Sequence, residues 1–153
     1  MMKLETRLNS EQLERVFSIL ISIGWHRARK KDVSKIIQEY ERRGWYVFQS
    51  AIEIMESFDG LPFLDVPGTD SILMSSNYQY EYMNVASEWK YFRGESIFPI
   101  GSQDTLDIYV EESGIIYGDA ENSGAMGLYG YDIFEGLYNL MFSGYIEKYD
   151  YPT

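Results

Sequence analysis

Cysteine is absent from this chain. That absence excludes disulfides, thiolate zinc sites, iron–sulfur ligation and a cysteine nucleophile. Histidine occurs once, as His26, so a histidine-rich metal site and a Cys–His pair are excluded too. Basic residues run short after position 45, where only Lys90, Arg93 and Lys148 remain. No apolar run approaches the ~20 residues that span a bilayer. The opening residues, Met1-Met2-Lys3-Leu4-Glu5-Thr6-Arg7, lead into an amphipathic stretch and not a signal peptide. The expectation is a soluble, cytoplasmic chain without a membrane partner.

What is present favours a packed core. The 153 residues are 45% hydrophobic and 16% aromatic, against 24% charged, a balance that argues against disorder. A globule of this size buries about 68–70% of its unfolded surface. One domain is expected over residues 1–153, with a core from about 9 to 145 and a tail from 146 to 153. The net charge is −11, and it is uneven. Residues 1–45 hold ten basic and six acidic side chains, whereas residues 46–153 hold three and eighteen. Such a chain is a poor nucleic-acid binder, because phosphate contacts need Lys and Arg. The excess serves solubility, or it steers the protein toward a basic partner.

Periodicity marks the elements. Asn9 and Gln12 form a capping box ahead of Leu13, Val16, Phe17, Leu20 and Ile21, and Gly24 supplies the stop. A second helix starts after Asp32, carries Val33, Ile36, Ile37 and Tyr40, and stops at Gly44. Trp45 to Phe48 reads as a short buried strand or a link. Ser50 and Glu53 form a second capping box for a helix that ends at Asp59-Gly60. Strand signals follow at 62–66, 71–75, 78–82, 96–100 and 105–110, with a hairpin into Ile115-Ile116-Tyr117. A short helix from Asn84 to Arg93 buries Val85, Trp89 and Phe92. Residues 118–130 carry four glycines and read as a loop with room for a short strand. Asp132 caps a last helix that stops at Gly144. Helices first, strands in the middle and one closing helix make an α+β fold with a mostly antiparallel sheet.

The residue inventory offers little chemistry. No Gly-x-Ser-x-Gly elbow presents a serine to His26, which reads as an exposed loop residue. Gly124, Gly127 and Gly130 match neither a dinucleotide fingerprint nor a phosphate loop. Asp119 to Gly124 resembles the start of a calcium loop, but position twelve is Gly130 and not a bidentate Glu. The eighteen acids after position 45 give many chance pairs, so none is singled out as a general acid or base. The expectation is no catalytic residue, no metal and no cofactor. Tyrosine stands out instead, with fourteen copies. It suits half-buried strands and equally interfaces, where a large ring with a polar tip orders cheaply.

The order of motifs resembles a known family. Gly24-Trp25 with Arg29, a helix from Asp32, Phe58-Asp59-Gly60-Leu61, Phe98-Pro99-Ile100-Gly101, Gly114-Ile115-Ile116-Tyr117 and a helix ending at Gly144 resemble the SUKH superfamily, specifically its third family of bacterial immunity proteins. The resemblance covers roughly residues 13–145. One departure is Asp59, where the family usually has Gly in Phe-Gly-Gly-Leu; Asp tolerates the left-handed conformation, so the turn is expected to survive. The resemblance implies helices packed on a twisted, mostly antiparallel sheet. It also implies a protein without catalytic residues that neutralises a cognate polymorphic toxin, often a nuclease or deaminase. An acidic inhibitor suits a toxin that is basic in order to grip nucleic acid. Two other functions stay open: an intracellular scaffold or regulatory adaptor of the wider superfamily, and a carboxylate-dependent hydrolase.

A partner surface follows from strand alternation. Leu106, Ile108 and Val110 claim the core face, so Asp107 and Tyr109 point the other way. The expected surface is the solvent face of the sheet, with Tyr80, Asp107, Tyr109, Glu111 and Glu112, joined by Asp119 and Glu121 on the adjoining loop.

Overall fold

The computed structural model describes residues 5–76, 83–120 and 125–150. Three helices come first: α1 (Ser10–Ser22), α2 (Ser34–Arg42) and α3 (Gln49–Phe58). Strand β1 (Ile72–Leu73) precedes α4 (Met83–Arg93). Then come β2 (Ile97–Gln103), β3 (Leu106–Glu111), β4 (Ile116–Ala120), β5 (Ala125–Gly130), α5 (Ile133–Phe142) and β6 (Glu147–Asp150). The six strands pair antiparallel in sequence order, β1 to β6, as one meander. The fold is α+β, as the element order predicted.

Local chemistry sets the helix ends. Asn9 accepts from the Gln12 amide at 2.9 Å, and Gln12 returns the bond at 3.1 Å, closing the expected capping box. Asp132 accepts from the Glu135 amide at 2.8 Å and starts α5. The second expected box is absent. α3 begins two residues earlier, at Gln49 with Phe48 at the N-cap, and the Ser50 hydroxyl is committed elsewhere: it donates to the carbonyl of Glu112 at 2.9 Å and ties α3 to the end of β3. Residues 45–48 are a link and not a strand.

Arg29 and Trp25 prepare the end of α3. The Arg29 guanidinium donates to the carbonyls of Ser57 and Asp59 at 2.9 and 2.8 Å, satisfying oxygens that a helix C-terminus leaves open. Trp25 stacks on Phe58 with centroids 5.8 Å apart and donates to the Ser57 hydroxyl at 3.0 Å. Asp59 does not adopt the left-handed conformation expected of it. Its φ is −60°, and Gly60 takes the positive value, +83°. The Asp59 side chain is used instead: buried, it accepts from the Ser76 amide at 2.8 Å and pairs with Lys31 at 2.7 Å.

The sheet divides two cores. On one face, Phe98, Ile100, Ile108, Val110 and Ile116 join side chains from α1, α2, α3 and α5 in the main core. On the other, Ile97, Tyr109, Tyr117, Met126 and Leu128 pack under Trp89 of α4. An antiparallel sheet can leave one face to water; here α4 covers part of the second face. Three further expectations change. The stretches 62–66 and 71–75 reduce to the two-residue β1 and one bridge, Leu64 to Ile72. The stretch 118–130 holds most of β4 and all of β5, not a loop. Within the expected tail, residues 147–150 form β6, paired to β5 from Glu147↔Leu128 to Asp150↔Ala125. The strand signal at 78–82 lies outside the described residues.

Candidate functional site

Alternation along β3 holds as read: Ile108 and Val110 enter the main core, and Tyr109 points the other way. The second face is not free there, however. Tyr109 is fully buried among Trp89, Ile97 and Tyr117, so it presents no ring to a partner. Glu111 is buried too, at 4% exposure. It accepts from the Ser113 hydroxyl and from the Tyr117 hydroxyl. Burial first, then the Glu111 carboxylate, push the Tyr117 hydroxyl well above the ordinary tyrosine range. These two residues belong to the second core, because Trp89 of α4 closes over a face that the strand pattern alone leaves open. Tyr80 and Glu121 lie outside the described residues.

The other three acids fall into two places. Asp107 and Asp119 are register partners on β3 and β4, both half-buried. Cross-strand partners sit about 4.5–5.5 Å apart at Cβ, so two like charges share one spot at the far end of β3. Glu112 stands five residues along, about 17 Å away at strand rise. It is exposed and accepts from the hydroxyl of Tyr46, itself 60% exposed. That hydrogen bond to Glu112, with smaller contributions from desolvation and the carboxylate's charge, raises the Tyr46 pKa.

Beside Glu112 lies a groove of about 660 Å³ that strand reasoning missed. Its walls are Ser50, Glu53 and Ile54 of α3, the Ser113-Gly114 turn, the entry to α5 from Tyr131 to Phe134, and residues Glu5 to Arg7. The leading segment is strapped across the start of α5. Thr6 donates to Asp132 at 2.9 Å, and the Arg7 amide donates to the same carboxylate at 3.1 Å. The Arg7 guanidinium lies 4.3 Å from the Tyr131 ring centroid and 3.6 Å from Glu135. No periodicity points to a groove assembled from four separate segments; the sequence marked only the helix starts at Ser50 with Glu53 and at Asp132.

The remaining buried carboxylates have structural partners. Asp59 binds Lys31 and the Ser76 amide, and Glu135 accepts from the Tyr131 amide at 2.8 Å. Among the described residues no group of three or more His, Asp or Glu is arranged to hold a metal ion, and no helix is long and apolar enough to cross a membrane. The arrangement offers an acidic, tyrosine-flanked surface around a groove, which is chemistry for binding. A family model described as SUKH-3 immunity protein matches residues 13–143. No curated protein and no solved structure matches the chain.

Proposed function

Because the chain belongs to the SUKH-3 immunity protein family, we propose that it is a binding protein and not an enzyme, which neutralises a cognate polymorphic toxin in the bacterial cytoplasm. The family match over residues 13–143 carries this reading. The charge distribution supports a finer one: the toxin is a basic enzyme that acts on nucleic acid. Eighteen acids against three bases after position 45 give a field that attracts such a partner and repels its polyanionic substrate. Steering of this kind raises association rates to about 10⁸–10⁹ M⁻¹s⁻¹ at low salt, which matters when one free toxin molecule is dangerous.

Of the residues expected to form the contact surface, Glu112 is exposed and Asp107 and Asp119 half-exposed. We place the contact at the Glu112 end, where Tyr46 supplies a ring beside the carboxylate. Co-expression with the toxin gene next to this chain's own tests the reading. Rescue from growth arrest, together with a stable complex of the two purified proteins, is the expected result. Continued arrest with the chain fully expressed and folded refutes it.

A further inference from the structure

The groove between α3 and the start of α5 gives the contact a specific point. We infer that it receives a lysine- or arginine-bearing loop of the bound toxin, with Glu5 and Glu53 as the charges that meet the incoming cation. The inference rests on the immunity reading above and deepens it by naming what one part of the surface holds.

Four observations support the assignment. First, the lining carries three carboxylates, Glu5, Glu53 and Asp132, against one guanidinium, Arg7. Second, that guanidinium is already occupied by the Tyr131 ring and Glu135. Among the described residues neither Glu5 nor Glu53 has an ion-pair partner. Glu53 accepts only a 3.3 Å hydrogen bond from Gln49, and the basic loop at Arg27 and Lys30 flanks it without pairing. Third, the start of α5, which would otherwise favour an anion, is already capped by Asp132, so an anionic guest meets a carboxylate there. Fourth, Tyr131 on the rim is 41% exposed, and Tyr46 stands beyond the Ser113 turn on Glu112. The Tyr131 face is held by Arg7, so the ring open to a cation at this end is Tyr46, beside the Glu112 carboxylate. The groove also adjoins the Glu112 surface, since the Ser50 that lines it bonds the Glu112 carbonyl.

The test uses the full chain and the toxin domain encoded beside it, inactivated at its own catalytic residue. Glu5→Lys and Glu53→Lys are measured singly and together, with Glu147→Lys on β6 as a control of equal charge change. Thermal melts identify variants that fail to fold. The expected result is affinity lower by about tenfold for each groove reversal, since a close charge pair contributes on that order, with the control unchanged. A photo-crosslinker at Ser113 should recover a toxin peptide containing Lys or Arg. Parent-like affinity of the folded double variant, or a crosslinked peptide without a basic residue, overturns the groove assignment while the immunity reading stands. No binding by the parent chain overturns both.

Discussion

Trp25 shows how much one side chain fixes. Its indole stacks on Phe58, lies 5.4 Å from the Phe17 ring and 6.2 Å from Phe134, and donates to Ser57. It therefore joins α1, α3 and α5 at one point. Trp25→Ala should lower unfolding free energy by about 3–5 kcal/mol, the usual range for truncating a buried aromatic; a loss below about 1 kcal/mol in denaturant titration would show that the three helices hold together without it. Asp59 poses a sharper question, because its two oxygens do different tasks. Oδ1 accepts from the buried Ser76 amide, and Oδ2 pairs with Lys31. Asp59→Ala removes both and should cost about 3 kcal/mol, chiefly because the buried Ser76 amide loses its acceptor while Lys31, partly exposed, can turn to water. Asp59→Asn keeps an acceptor for Ser76 and should cost clearly less. Equal midpoints for the two variants would assign the whole effect to Lys31.

Among the elements, those with amphipathic period and a capping residue were legible in the sequence. Asn9 and Asp132 mark the starts of α1 and α5, and Gly24 and Gly144 follow their ends. Strands β5 and β6 were not, for two physical reasons. The glycines of β4 and β5 read as turns, but they serve close approach. A Cβ on Gly118 would meet Leu106 and Tyr129 at 2.8 and 2.7 Å, and one on Gly130 would lie 2.3 Å from the Gly136 nitrogen. β6 carries Glu147, Lys148 and Asp150 at a sheet edge, and charged edges show no apolar alternation. The groove is built from segments far apart in the chain, and the sequence marked only helix starts on its walls, Ser50 with Glu53 and Asp132, not their meeting. The close approach at Gly130 makes a prediction for β5 and α5. Gly130→Ala must push backbone against backbone, so it should destabilise by about 1–3 kcal/mol or more and shift amide resonances of both elements. An unchanged melting temperature would mean that α5 slides away freely.

At the scale of the whole molecule, charge is segregated along the chain: net positive through residue 45 and strongly negative beyond. A field of this kind acts at a distance and is screened over about 10 Å at 0.1 M salt and about 3 Å at 1 M. Association with the cognate toxin should therefore slow steeply between those two conditions, while dissociation changes little. Glu112→Lys should flatten that dependence. Stopped-flow rates at the two salt concentrations check it, and a salt-independent association rate would remove steering from the account.

The division of the interior by the sheet has an optical consequence. Trp25 and Trp45 lie in the main core, and Trp89 lies in the second, 4.9 Å from the Tyr117 ring. The chain thus carries intrinsic fluorophores on both sides of the same sheet. With Trp25 and Trp45 replaced by Phe, all indole emission comes from beneath α4; with Trp89 replaced, it comes only from among the other helices. Emission spectra of the two variants can time the wetting of each compartment separately during unfolding. Coincident red shifts at one denaturant concentration would mean that the sheet and both its coverings melt as a single cooperative unit.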